Sequence, residues 1–126
     1  MPFIYSIDKA ARIVTVQCSG ESPQFVDFKI TMETVFKDSN YDTGFTFLLD
    51  RHLVDEPPST DCIRRSVDLF RKHEAKLNCL AVVVKNMATF GMVRMAQLLA
   101  EDVDIDLQVF NDIEEAKRWL QPHEST

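Results

Sequence analysis

Two short stretches, Phe45-Thr46-Phe47-Leu48-Leu49 and Leu80-Ala81-Val82-Val83-Val84, are almost continuously apolar. A strand with one wet face alternates apolar and polar residues, whereas a strand covered on both sides does not need to, and unbroken runs of this kind typify parallel sheets. They are therefore expected as the third and fourth strands, central in an α/β domain. With 126 residues the chain is near the usual size of one domain and can bury a core without metals or disulfides.

The flanking elements follow from local pattern. Phe3 to Ile7 and Ile13 to Cys18 read as two strands joined by the turn Asp8 to Arg12, with Val14, Val16 and Cys18 alternating against Thr15 and Gln17. Gly20-Glu21-Ser22-Pro23 breaks the second strand, with Ser22 as a helix N-cap and Pro23 at the first helical position. Phe25, Phe28, Met32, Val35 and Phe36 then form one apolar stripe that Asp38-Ser39-Asn40 stops. Ser59 or Thr60, after Pro57-Pro58, opens a second helix burying Ile63, Val67, Phe70 and Leu77. Thr89 to about Leu99 forms a third with Val93, Ala96 and Leu99 inward, and Ile105, Leu107 and Val109 alternate as an edge strand. A capping box, Asn111 with Glu114, opens a last helix that turns Ile113, Ala116 and Leu120 inward.

The expected fold is thus a single α/β domain over residues 1–126, ββαβαβαβα, with a mixed, mostly parallel five-stranded sheet and four helices. Right-handed crossovers between strands lying side by side in sequence order place their helices on one face. The opposite face of the two apolar strands then needs a cover: helix one, another subunit or an apolar ligand. Phe45, Phe47, Val82 and Val84, together with Met92 and Met95, are the candidate apolar surface.

Composition excludes several roles. A net charge of -6 gives no field to attract phosphate backbones, so nucleic acid is not an expected partner. Cys18, Cys62 and Cys79 are an odd, widely spaced set in apolar stretches and read as reduced core residues of a reducing compartment. The N-terminus lacks the basic and apolar regions of a signal peptide, and no apolar run approaches the roughly 18 residues of a membrane span. Cytoplasmic localisation is the expectation.

Ligands of open parallel sheets bind beyond the carboxyl ends of the strands. Two loops qualify here, and Asp50, Arg51, His52, Lys85, Asn86 and Thr89 converge there on one polar site if their strands are neighbours, with Gly91 allowing close backbone approach. Alternatively, Arg51 pairs with a carboxylate, Thr89 caps the third helix and His52 faces solvent. His52 beside Asp50 and Asp55 suits a general base, but neither Ser59 nor Cys62 lies in a nucleophile signature, so no catalytic residue is assigned. His73 and His123 have no partners at metal-ligand spacing, and Asp102, Asp104 and Asp106 mimic a calcium loop without its glycine or closing glutamate. No metal or cofactor is expected. Met87, Met92, Met95 and Phe90 gather at the start of the third helix, where soft side chains fill core or meet greasy partners.

Leu48-Leu49-Asp50-Arg51, Ala88-Thr89-Phe90-Gly91-Met92-Val93-Arg94-Met95 and the closing Val109-Phe110 with Glu115-Ala116-Lys117-Arg118-Trp119-Leu120 resemble the SpoIIAA-like family across essentially the whole chain. That bacterial family is grouped with STAS domains, the anti-sigma-factor-antagonist modules, and shares its fold with the lipid-binding domain of Sec14-type proteins. The resemblance implies a non-enzymatic regulatory or protein-interaction module, homodimeric or bound to a protein partner, with a lipid-like ligand on the sheet face as the alternative and an enzyme using His52 as a third possibility. Sporulation-type members carry a phosphorylatable serine in an Asp-Ser-Ser/Thr-Gly stretch that is absent here. Ser59 and Thr60 nevertheless stand at a helix N-terminus, as a phosphorylation site or as a plain cap.

Overall fold

The computed structural model describes residues 3–19 and 23–121. The elements run β1 (Phe3–Asp8), β2 (Ile13–Cys18), α1 (Phe25–Lys37), β3 (Thr46–Asp50), α2 (Thr60–Lys72), a 3-10 turn (Glu74–Lys76), β4 (Cys79–Val83), α3 (Met87–Leu99), β5 (Asp106–Phe110) and α4 (Ile113–Leu120). One sheet holds the strands in the order β1-β2-β3-β4-β5, with β1 antiparallel to β2 and the other pairs parallel. The order of elements and the edge position of β5 match the expectation.

At the amino end of the sheet two turns lock together. Arg12 adopts φ 61 and Gly44 φ 95, both in the left-handed region. A Cβ on Gly44 would stand 2.8 Å from Arg12 Nη2, the far end of a flexible side chain that can shift, so it is the positive φ that favours glycine there. The Arg12 carbonyl accepts from Thr46 N at 2.9 Å, and its guanidinium lies 5.5 Å from the centre of the Phe45 ring.

Each parallel connection steps in the same direction across the sheet, so right-handedness puts α1, α2 and α3 on one face. Beneath them lies the main core, where Val14, Val16, Phe47, Leu80 and Val82 meet Phe28, Met32, Ile63, Phe70 and Val93. Phe45, Phe47, Val82 and Val84 belong to this core at 5% exposure or less, and Met92 and Met95 are half-buried. This corrects their assignment to an open apolar surface.

The second face of β3 and β4 is covered by α4, a solution outside the expected helix one, subunit or ligand. Leu48, Ala81 and Val83 pack there against Ala116 and Leu120, and Trp119 sits 5.7 Å from Phe110, ring centre to ring centre. The physical reason is that α4 follows the last strand and crosses to no other, so the handedness rule does not bind it. It folds onto whichever apolar face is left. The β1–β2 half of that face carries Ile4, Ser6, Asp8, Thr15 and Gln17 and stays exposed or half-exposed.

Several local expectations shift. Pro23 precedes an N-cap at Gln24 that makes no side-chain capping bond, and Ser22 lies outside the described residues. α3 starts at Met87 because the Asn86 side chain caps it, accepting from Thr89 N at 2.9 Å, so Thr89 is inside the helix rather than its cap. α4 is capped by Asp112, not Asn111. Leu99 is 41% exposed, and Leu77 is buried but beyond the end of α2. Cys18 is buried, whereas Cys62 and Cys79 are half-buried; all are free thiols.

Candidate functional site

The carboxyl ends of β3 and β4 do bring the two expected loops together, but they divide the expected residues between two places. On one side lies a corner whose polar groups satisfy each other. Lys85 Nζ pairs with Asp55 Oδ1 at 2.5 Å, and Asn86 Nδ2 donates to the Asp55 carbonyl at 2.9 Å while its oxygen caps α3. Asp50, only 3% exposed, accepts from the His52 backbone N at 3.0 Å and lies 2.5 Å from its Nδ1. His52 points outward, and among the described residues no serine or cysteine is hydrogen-bonded to its ring. Thr89 is fully buried and cannot meet a ligand at the surface; an added Cβ on Gly91 meets nothing within 4 Å, so no close approach explains that glycine.

Arg51 faces the other way. Its backbone is pinned from both sides, with N donating to Val83 O at 2.8 Å and O accepting from Val54 N at 3.0 Å. The side chain is 9% exposed, Nη2 donates to the Glu56 carbonyl at 3.2 Å, and Nε is buried with no acceptor. A buried donor left without an acceptor costs about 1–3 kcal/mol, more when charged. Native folds rarely carry that cost without a use.

The guanidinium stands at a neck between two spaces. Above it, a cleft of about 390 Å³ opens between the starts of α1 and α2, bordered by Gln24, Phe25, Pro58, Cys62 and Arg65. Below it, a cavity of about 60 Å³ runs under α2 among Phe3, Phe28, Ile63, Phe70, Val82 and Leu107. Pro23, Gln24, Arg51, Pro58 and Cys62 line both. Ser59 caps α2, its Oγ accepting from Cys62 N at 3.0 Å, and borders the cleft; Thr60 begins the helix, and both are exposed. The outer wall is electrically mixed, since Arg65 pairs with Asp61 at 3.1 Å and Glu56 also borders the opening.

The remaining cysteine and acidic candidates have structural places. Burial pushes the Cys18 thiol up to about 11, against a smaller opposing pull from Arg51, which makes it unreactive at neutral pH. Asp102 is held below the usual carboxylate range, first by its hydrogen bond from Arg71 at 3.0 Å and then by that residue's charge. Asp104 N donates to Glu74 Oε2. Among the described residues no three His, Cys, Asp or Glu side chains are grouped to hold a metal ion, and no helix is long and apolar enough to cross a membrane. His123 lies outside the described residues.

No family model matches the sequence, and no curated protein matches it. Among solved structures, it is similar to an uncharacterized protein of the DUF3478 family, with a SpoIIAA-like fold, from Shewanella loihica PV-4. The two superpose with a TM-score of 0.64 over 94% of this chain and 93% of that one, at 15% identity. The chain has a SpoIIAA-like fold. In this SpoIIAA-like chain the residues that sequence reasoning missed are Gln24 and Pro58, which line both spaces, and Phe3, Phe28 and Ile63, which line the cavity. None has chemistry that marks it; the two prolines before the helices, Pro23 and Pro58, were the only local signal of chain walls meeting there.

Proposed function

We propose that the chain is a non-enzymatic, STAS-like regulatory module whose input is a small ligand held between α1 and α2. The observation that carries this reading is Arg51, a buried guanidinium with an unused donor at the neck between an open polar cleft and an apolar cavity. The place agrees with the general rule for open α/β sheets, where ligands sit beyond the carboxyl ends of the strands. Catalysis is the weaker reading because the Asp50–His52 pair stands in the self-satisfied corner, apart from the cleft lining. Native mass spectrometry of freshly purified protein tests the proposal. A carried-through adduct that is lost on partial denaturation supports it; no adduct, together with no small molecule that perturbs residues around Arg51 and Cys62, removes it.

A second reading, association with another copy or a protein partner, is favoured by Val26 and Ile30. They lie one turn apart on α1 and are 56% and 47% exposed. Light scattering at high micromolar concentration decides the homodimer: a concentration-dependent dimer weakened by Ile30→Lys supports it, and a monomer throughout overturns it.

A further inference from the structure

The cleft and the cavity differ in chemistry, and that difference selects a ligand. The cavity below Arg51 is walled by Phe28, Ile63, Phe70, Val82 and Leu107, with Ser66 the small residue on its α2 side. At about 60 Å³, less than half of the roughly 150 Å³ that holds a benzene ring, it has room for about two to three carbons. Such a space takes a short aliphatic chain and excludes a ring system or a long acyl tail.

The neck asks for an acceptor. Arg51 is exposed to only 9% and its Nε has no partner, while the α2 N-terminus beside it presents the first N–H groups of a helix, which have no acceptor within the helix. A guanidinium presents parallel N–H groups that fit a carboxylate in a fork. The border of the cleft also holds the acidic side chains of Glu56 and Asp61, the latter paired with Arg65. A dianion is repelled by those carboxylates about twice as strongly as a monoanion at the same distance, so the wall discriminates against phosphate.

We propose that the site binds a short-chain aliphatic monocarboxylate, its carboxylate on the Arg51 fork and its tail of about two to three carbons in the cavity. This deepens the ligand-module reading and rests on it. Entry of the head group to the buried Nε needs a small outward movement at the seam where α1 meets α2. The mouth residues Pro23 and Pro58 lie on that seam.

Calorimetric titration of the full chain with butyrate, 1-butanol, butylamine, acetate and dodecanoate tests the proposal. Butyrate is expected to bind at least about tenfold more tightly than butanol, the neutral molecule with the same tail, and than acetate, which lacks the chain. Butylamine and dodecanoate are expected to bind more weakly still. Arg51→Lys keeps the charge and loses the fork, and should weaken butyrate by at least about tenfold. Ser66→Leu fills the cavity; it should abolish the advantage of butyrate over acetate, and it decides the matter if the Arg51 variant does not fold. Equal affinity for butanol and butyrate overturns the carboxylate assignment while leaving a small-ligand module in place. No binding by any member of the series overturns both.

Discussion

The two faces of this sheet are covered in opposite ways. On one, three helices tied between strands settle where their crossovers place them, and the starts of α1 and α2 stay far enough apart to leave a cleft and a cavity. On the other, a single eight-residue helix, which joins no two described strands, lies flush on β3, β4 and β5. The crossovers fix which face α1, α2 and α3 take, whereas α4 is held by its apolar contacts with the sheet. The face crossed by three connections is the one that keeps a cleft and a cavity.

The contrast is broken most forcefully from the closed side. Leu120 is 4% exposed and anchors the end of α4 over Leu48 and Val83. Leu120→Ala should cost about 2–5 kcal/mol in urea unfolding, since both the burial and a cavity term are lost. A cost below about 0.5 kcal/mol, the level of an exposed site, would show that α4 does not seal that face.

Adding bulk should then have opposite consequences on the two sides. Ala116 is fully buried on the sheet-facing side of α4, and Ala116→Leu should destabilise by about 1–3 kcal/mol through overpacking. Ser66→Leu enters the cavity under α2 and should be neutral or stabilising by up to about 1 kcal/mol. Parallel denaturant curves check the pair, and equal losses at both positions would sink the distinction between a sealed and an open face.

A smaller effect concerns pH on the helix-rich face. His73 stacks on Phe36 with ring centres 4.7 Å apart, and its pKa is lowered from 6.5, first by burial and then by Lys76 and Lys72. The unfolded chain thus binds more protons at this site, so the contribution is complete above about 6.5 and is lost as the pH falls below it. Thermal unfolding between pH 5 and 8, a range of roughly neutral conditions, should show that loss, and His73→Leu should flatten it. The least effect is expected at His52, whose ring is about half exposed: His52→Ala should change stability by no more than roughly 0.5 kcal/mol and leave ligand binding intact.

Much of the fold was legible because strand and helix periodicity, caps and breakers are local. The apolar runs at 45–49 and 80–84 correctly demanded cover on both sides. What covered the second face was not legible, because the handedness of crossovers decides α1, α2 and α3 and is silent about a terminal helix such as α4. The site was half legible. Arg51, His52, Lys85 and Asn86 were recognisable as polar residues at strand ends, but whether a side chain closes its bonds within the fold, as Lys85 and Asn86 do, depends on partners such as Asp55. The cavity joins Phe3, Gln24, Phe28 and Pro58 from separate parts of the chain, residues brought together only by the topology.

The central claim is that Arg51 uses its spare donor on a ligand. The most direct measurement is the Nε–H resonance of Arg51 in a proton–nitrogen NMR titration with butyrate, followed by nuclear Overhauser contacts from the ligand chain. This resonance is expected to move to saturation while the chain methyl group shows contacts to Ile63, Val82 and Leu107. An unmoved Arg51 resonance at saturating butyrate, or chain contacts to residues outside the cavity, would contradict it.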